Sequence, residues 1–141
     1  MTNQSLPDDD HISRYCKPST VEDGIPISAA FIPRQDEDYL SVNWLEYFGE
    51  TELNAAVERV REVFHSKGFT LRPNGRFAVL NIGAAKTGVH EAVKRTLNIN
   101  HLPCRDDPSH SGILGYSSED LAVAVELAAL VTPQDVHPAV P

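Results

Sequence analysis

The sequence has few of the features that would place it in a membrane, in a disulfide-bonded secreted scaffold or on a nucleic acid. No apolar run reaches the roughly 20 residues that a membrane-spanning helix needs. Its only two cysteines, Cys16 and Cys104, lie far apart, so no disulfide framework is expected. The 12 basic residues form no stripe of the kind that binds a phosphate backbone, and the first 15 residues lack the basic and apolar parts of a signal peptide. These absences predict a cytoplasmic protein without direct nucleic-acid or membrane contacts.

Basic residues are scarcest where acidic residues are most frequent. Residues 1–50 contain ten acids and three bases, whereas the rest of the chain contains ten acids and nine bases. The excess includes runs at 8–10 and at Asp36, Glu37 and Asp38. Because like charges resist burial, we expect these runs on the surface, where they would attract a basic partner. The three acids at 36–38 are therefore the predicted interaction residues.

The length and composition of the chain predict one folded domain with loose ends. A chain of 141 residues can bury a core without metal or disulfide support. Residues 1–10 are polar and acidic, which predicts a disordered tail, and residues 132–141 contain three prolines, which predicts a second tail. The domain itself is expected over residues 11–131.

Apolar patterning predicts strands and helices that together make an α+β fold. The predicted strands cover 11–17, 27–33, 39–45, 76–82 and 111–115. A hairpin is also expected between residues 69–72 and the fourth of these strands, around Asn74-Gly75. Helical spacing predicts three helices, over 52–66, 88–97 and 117–131. The expected architecture is a mainly antiparallel sheet with about three helices packed on one face.

A glycine-containing run, Gly83-Ala84-Ala85-Lys86-Thr87-Gly88, follows a predicted strand and precedes a predicted helix. Backbone N–H groups at such a place can bind phosphate. The spacing does not match a Walker A loop, because Ala85 stands where a glycine must precede the lysine. A simple turn is the preferred interpretation of this run.

Histidines and cysteines suggest a metal site only weakly. The alternative ligand set is Cys16, His101, Cys104 and His110, and it requires the N-terminal strand to lie beside the 100–111 loop. No tight pair of cysteines supports it, so the sequence predicts no metal and no other cofactor.

His110 is the candidate for proton transfer, because histidine titrates near neutral pH and Asp106 and Asp107 precede it closely. Neither Ser109 nor Ser111 has the flanking glycines of a nucleophile elbow. The competing interpretation is that the aspartates and Ser109 shape a turn. No catalytic residue is therefore predicted, with His110 as the alternative.

Arg14 and Lys17 are the candidate ligand-binding residues. The planar guanidinium of Arg14 can hold a carboxylate or a phosphate. Both side chains can equally neutralise nearby acids, in surface pairs that contribute about 0–1 kcal/mol.

Several short motifs, taken together, resemble a group of small bacterial proteins for which no activity is established. The motifs are Arg14-Tyr15-Cys16-Lys17-Pro18, Asp23-Gly24, Ala30-Phe31, Leu40-Ser41-Val42 and the Asp107–Ile113 segment with its Pro-x-His. The resemblance covers about residues 11–131 and implies one compact unit. It assigns no role to any residue.

Two functions remain after these exclusions. The first is a non-catalytic subunit or an antitoxin- or immunity-like accessory protein that binds another, basic protein through its acidic surface. The alternative is a small enzyme or ligand-binding domain for a phosphorylated or nucleotide-like molecule. In that alternative, Arg14 and Lys17 hold the anion and His110 moves a proton. A shared cleft for these three residues would favour it.

Overall fold

Seven strands form one antiparallel sheet in the computed structural model, which describes residues 4–141. The strands of this sheet are β1 (Gln4–Ser5), β2 (His11–Cys16), β5 (Tyr39–Trp44), β6 (Arg76–Asn81), β7 (Asn98–His101), β8 (His110–Leu114) and β9 (Val136–Pro138). Two short strands, β3 (Val21–Glu22) and β4 (Ile25–Pro26), form a separate hairpin. The order of the seven strands across the main sheet is β1-β7-β8-β5-β2-β6-β9. The turn between β3 and β4 is Asp23-Gly24, whose residues adopt φ angles of 52° and 77°.

Within residues 4–141, three α-helices and four short 3-10 turns complete the fold. The helices are α1 (Leu53–Ser66), α2 (Ile82–Val93) and α3 (Leu121–Leu130), and the 3-10 turns are Pro18–Thr20, Ser28–Phe31, Leu45–Phe48 and Pro133–Asp135. Across the described residues 4–141, no helix combines the length and the apolar character that crossing a bilayer requires.

The helices lie on both faces of the sheet, so the α+β class is confirmed but the placement of all helices on one face is corrected. Phe77 and Val79 of β6 pack with α1, whereas Ala78 and Leu80 of the same strand pack with α2 and α3. Side chains alternate between the faces of a strand, so an unbroken apolar run is buried on both sides. Residues 77–80 form such an unbroken apolar run, and this run indicates in the sequence that both faces of the sheet are buried there.

Three predicted elements differ from the structure. Residues 28–31 form a 3-10 turn rather than part of a strand, and residues 69–72 form no strand, so the predicted hairpin is absent. Helix α2 begins at Ile82 rather than near residue 88. It begins early because the Asn81 side chain accepts a hydrogen bond of 2.8 Å from the Ala84 N–H and so caps the first turn.

Each predicted tail contributes one strand to the sheet. Residues 1–3 of the predicted acidic tail lie outside the described residues. Strand β1 pairs with β7, and Leu6, which follows it, is buried. At the other end β9 pairs with β6, and Ala139 is fully buried against α1 and β6. The folded unit therefore extends beyond 11–131 in both directions.

The two neighbours of β2 pair with it to very different extents. Strand β6 pairs with all six residues of β2, from His11 to Cys16, whereas β5 pairs with it only at Ile12 and Ser13. From Arg14 onwards β2 and β5 separate. The gap between them opens the cleft described next.

Candidate functional site

A cleft of about 550 Å³ lies where β2 and β5 separate. Its walls come from β2, β5, the segment after the Ser28–Phe31 turn, the end of α1 and the start of β8. Four cations line it, namely Arg14, Lys17, Arg34 and Lys67. His110 lines it as well, so the three residues of the alternative function share one cleft.

Arg14 is held in place by backbone carbonyls. Its Nε donates to the Ala30 carbonyl over 2.8 Å, and its Nη1 donates to the Ser41 carbonyl over 2.9 Å. The second bond satisfies an oxygen of β5 where that strand has separated from β2. Burial lowers the pKa of the Arg14 guanidinium, but the ordinary pKa of arginine is so high that the group stays charged at neutral pH. Arg14 is thus a fixed, half-buried positive charge.

Two of the four cations have carboxylate partners, and two have none within the described residues. Arg34 lies 3.7 Å from Glu37, and Lys67 lies 3.0 Å from Asp107. No carboxylate of residues 4–141 is within ion-pair distance of Arg14 or Lys17. Arg14 and Lys17 therefore do not neutralise nearby acids, which was one of the two roles predicted for them. The cleft is locally positive in a chain of net charge −8.

His110 is oriented by a backbone carbonyl. Its Nδ1 lies 2.8 Å from the Leu102 carbonyl oxygen, and its Nε2 lies 3.2 Å from the Ser41 hydroxyl. Because a carbonyl oxygen only accepts, Nδ1 carries the proton of the neutral ring, and Nε2 accepts from the Ser41 hydroxyl. The ring also meets the edge of Tyr39, with the two centroids 5.9 Å apart. The aspartates that precede His110 in the sequence do not orient it.

Asp107 instead anchors the loop before β8. Its carboxylate is buried, and it accepts hydrogen bonds from the Asn43 amide at 3.0 Å, the Ser109 hydroxyl at 3.0 Å and the Lys67 ammonium at 3.0 Å. The backbone of Asp107 also closes a two-way turn with Cys104. The turn-forming interpretation of this segment is close to the structure, but the carboxylate bonds side chains rather than backbone. The Asp107 carboxylate joins the loop that carries Leu102 to β5 through Asn43 and to the end of α1 through Lys67.

Aromatic side chains form part of the cleft wall. Tyr15, Tyr39, Phe64 and Phe69 all line it. The Tyr15 ring centroid lies 5.4 Å from that of Phe69 and 5.7 Å from that of Phe64, so Tyr15, Phe64 and Phe69 form one aromatic cluster. Phe69 is 44% exposed, which is high for a phenylalanine. The cleft thus offers apolar flat faces next to its cations.

The four alternative metal ligands are not assembled into a metal site. Cys16 lies in the apolar core, where burial raises the pKa of its thiol to about 12. Cys104 is exposed, and the Nε2 of His101 lies 2.6 Å from the Pro108 carbonyl oxygen. Residues 4–141 contain no cluster of three or more His, Cys, Asp or Glu side chains that could hold a metal ion.

The glycine-containing run is the beginning of α2 and not a phosphate-binding loop. The N–H groups of Ile82 and Gly83 donate to the Asp10 and Asp8 carbonyls, which leaves them unavailable to an anion. Gly88 is a packing residue, because a Cβ there would lie 2.9 Å from Leu130. Lys86 pairs with Asp8 at 2.8 Å.

The predicted acidic interaction residues lie at the edge of the cleft. Glu37 lines it beside Arg34, while Asp36 and Asp38 are exposed. Part of the other acidic run is used internally, since Asp8 pairs with Lys86 and Asp10 accepts from the Trp44 indole N–H.

Sequence reasoning missed Ser41 and Lys67. Ser41 lies with Asn43 on the polar face of β5, and that alternation of polar and apolar residues is the one sequence signal for it. A buried cleft on that face could not be foreseen, because the loop and the helix end that cover it come from distant parts of the chain.

A larger and more open concavity of about 880 Å³ lies between the end of α1 and the C-terminal residues. Arg61 is the one Lys or Arg side chain that lines this concavity among residues 4–141, and it pairs with Glu58, so the concavity has no uncompensated cations like those of the smaller cleft. The smaller cleft is therefore the candidate site. No known protein family, no curated protein and no solved structure matches this chain, so the resemblance to the group of small bacterial proteins stays a prediction and the site is judged on its own geometry.

Proposed function

We propose that the cleft binds a phosphorylated, nucleotide-like small molecule, with Arg14 and Lys17 as the anion-binding residues. The observation that carries this proposal is the pair of uncompensated cations inside a concave site of an acidic protein. A protein whose overall charge repels anions gains little from such a pair unless an anion binds there. Arg34 and Lys67 also line the cleft, where each is paired with a carboxylate.

The free donors of Arg14 are suited to a phosphate group. Two of its nitrogens are bonded to carbonyls, whereas Nη2 has no partner within residues 4–141 and is not sealed from solvent. A guanidinium presents its N–H groups as a planar fork, which matches two oxygens of one phosphate. Lys17 lines the same cleft, and its exposed side chain acts as a mobile second charge.

The aromatic wall and the volume support a ligand with a planar ring. A cleft of about 550 Å³ lies inside the range of roughly 300–1,000 Å³ that is typical of small-molecule sites. Stacking of a base on an aromatic side chain contributes about 1–3 kcal/mol. Of the rings in this wall, Phe64 contacts a cation directly, since the Lys67 ammonium lies 4.8 Å from its centroid, and Tyr15 and Phe69 pack against Phe64.

Titration calorimetry tests this proposal with three probes: adenosine monophosphate, adenosine and inorganic phosphate. We expect the monophosphate to bind more tightly than either part alone. Lys17→Ala should weaken its binding about tenfold, the size expected for one charged hydrogen bond. Arg14→Lys should weaken it further, because the charge stays but the fork is lost.

The matched control is Arg105→Ala, which removes one exposed positive charge outside the cleft. Affinity in this variant should equal that of the unmodified protein. Equal losses in Lys17→Ala and Arg105→Ala would show that only net charge matters. Adenosine monophosphate that fails to bind the unmodified protein at millimolar concentration would refute the proposal.

A second candidate is a binding function through the acidic loop, in which Asp36, Glu37 and Asp38 contact a basic protein. Its support is that Asp36 and Asp38 are exposed and have no cationic partner among residues 4–141. A pull-down from the host compares the unmodified protein with the double variant Asp36→Asn, Asp38→Asn. The candidate predicts a stoichiometric partner that the double variant loses, and it fails if none is recovered. A cytoplasmic location is part of both proposals.

A further inference from the structure

We propose that Ser41 is a nucleophile, that His110 is its general base, and that together they hydrolyse a phosphate monoester bound in the cleft. This inference rests on the binding function proposed above. It adds chemistry to that function and gives a role to Ser41, which is not among the candidate site residues predicted from the sequence.

The geometry of the pair is that of an activated hydroxyl. The Ser41 Oγ lies 3.2 Å from Nε2 of His110, and the Nδ1 proton is held by the Leu102 carbonyl at 2.8 Å. A nucleophile, a base within hydrogen-bond reach and a third group that orients the base are the features expected of such a site. Here the third group is a backbone oxygen, which fixes the tautomer as a carboxylate would.

The surroundings keep the imidazole in this position. Gly112 lies beside His110 in β8, and a Cβ at 112 would lie 2.7 Å from Leu102 Cδ1 and 2.9 Å from Tyr39 Cδ2. Only glycine therefore lets Leu102 and Tyr39 pack this closely, and these two residues respectively supply the carbonyl and the ring that border His110.

The nearby cations are placed to stabilise the charge that develops on a phosphoryl group. Nη1 of Arg14 donates to the backbone carbonyl of Ser41, so the guanidinium lies against the residue that carries the nucleophile, and both residues line the cleft. Cationic clamps on the transferring group are the main contribution of proteins to phosphoryl transfer.

The reaction proceeds in two balanced steps. In the first, Ser41 Oγ attacks phosphorus and His110 Nε2 takes the hydroxyl proton. The bond from phosphorus to the ester oxygen breaks, and His110 returns the proton to the departing alkoxide. In the second step, His110 takes a proton from water, whose oxygen attacks the phosphoserine. Ser41 then leaves as an alkoxide and recovers its proton, and inorganic phosphate is released. No electrons are transferred and no further reactant is needed.

The test joins two measurements on the full chain. Hydrolysis of p-nitrophenyl phosphate is followed by absorbance, and a phosphonofluoridate probe, which loses fluoride when a serine attacks it, is located by mass spectrometry. We expect the probe on Ser41. Ser41→Ala and His110→Gln should each lower the hydrolysis rate at least about a hundredfold, the usual size for loss of a nucleophile or a general base. Ser19→Ala, which alters an exposed serine outside the cleft, should change neither readout.

The readouts separate the inference from the binding function. Thermal unfolding and binding of adenosine monophosphate establish that Ser41→Ala and His110→Gln are folded. If the nucleotide binds but Ser41 is neither labelled nor required for hydrolysis, the inference is overturned and the binding function stands. If Ser41 is labelled but the nucleotide does not bind, the binding function fails and, with it, the phosphate ester as substrate.

Discussion

The two edges of strand β2 show how one strand serves both stability and a binding site. On one edge β6 pairs with it from His11 to Cys16, and on the other β5 leaves it after Ser13. The fully paired edge lies within apolar layers on both faces of the sheet, whereas the open edge carries a charged side chain that bonds the strand opposite. The complete ladder with β6 compensates for the missing hydrogen bonds to β5, because it already fixes β2 where β5 departs.

Buried polar groups follow the same division. At the open edge the backbone oxygen of Ser41 is satisfied by Arg14. Asn43, which is still paired with Ser13, donates through its side-chain amide to Asp107 and Ser109. An unmade hydrogen bond at a buried group costs about 1–3 kcal/mol, so Arg14 supplies a bond that the backbone of a paired strand would otherwise make.

Phe77→Ala breaks the paired edge and should have the largest effect on stability. The ring is fully buried between β6 and α1, and its centroid lies 5.4 Å from that of Tyr15 and 5.5 Å from that of Phe64. Loss of a buried phenylalanine side chain costs about 3–5 kcal/mol, because transfer energy is lost and a cavity remains. Urea unfolding measures the change, and Leu121→Ala, at a side chain that is 56% exposed, should change stability by less than about 0.5 kcal/mol. A loss below about 1 kcal/mol for Phe77→Ala would mean that this core layer is not packed as described.

Asp107→Asn breaks the polar network on the side of the cleft, and stability and binding should change in opposite directions. Lys67 loses its partner at 3.0 Å, and the new amide directs a donor toward existing donors, at a cost of about 2 kcal/mol. The cleft meanwhile gains net positive charge, so adenosine monophosphate should bind several-fold more tightly. Chemical unfolding and calorimetry give the two quantities. Weaker binding together with lower stability would instead mean that Asp107 only positions the cleft wall.

The extent to which the sequence could predict this molecule differs between the two edges of β2. Local patterns located β2, β5, β6, β8, α1 and α3 within a few residues, because period-two and helical spacing depend only on near neighbours. The start of α2 was missed because capping by Asn81 outweighs the low helix propensity of the glycines. Residue type alone identified Arg14, Lys17 and His110 as candidates, from two segments far apart in the sequence. Their convergence depends on β5 leaving β2, which is a tertiary event without a local signal.

The pH dependence of stability above pH 9 reports on how well the core beside the paired edge excludes water, because it depends on the buried Cys16 thiol. Burial raises the pKa of Cys16 from 9.0 to about 12, so between these values the unfolded chain has lost a thiol proton that the folded chain keeps. The folded state then binds more protons, and its stability falls as pH rises above 9.0. Over the first pH unit above that value, this loss amounts to about 1 kcal/mol.

Cys16→Ala removes this contribution. The variant should be less stable at neutral pH, since it leaves a small cavity, but its stability should fall less steeply between about pH 9 and 10. Urea unfolding at a series of pH values measures both slopes. Parallel slopes would show that the Cys16 thiol reaches water, and the core beside β2 and β6 would then be no drier than the cleft.

Glu37→Gln should have the smallest effect on stability and sharpen the description of the open edge. Glu37 lies 3.7 Å from Arg34, whose side chain is 85% exposed, and such a surface pair contributes at most about 1 kcal/mol. Unfolding should therefore change little, whereas affinity for adenosine monophosphate should rise about two- to threefold, because one of the two carboxylates in the cleft becomes neutral. Added salt should reduce that gain, since charges near the surface are screened within about 8–10 Å. Glu22→Gln neutralises an exposed acid outside the cleft and is the matched control. An equal rise in affinity for both variants would attribute anion binding to the net charge of the whole protein and not to the gap between β2 and β5.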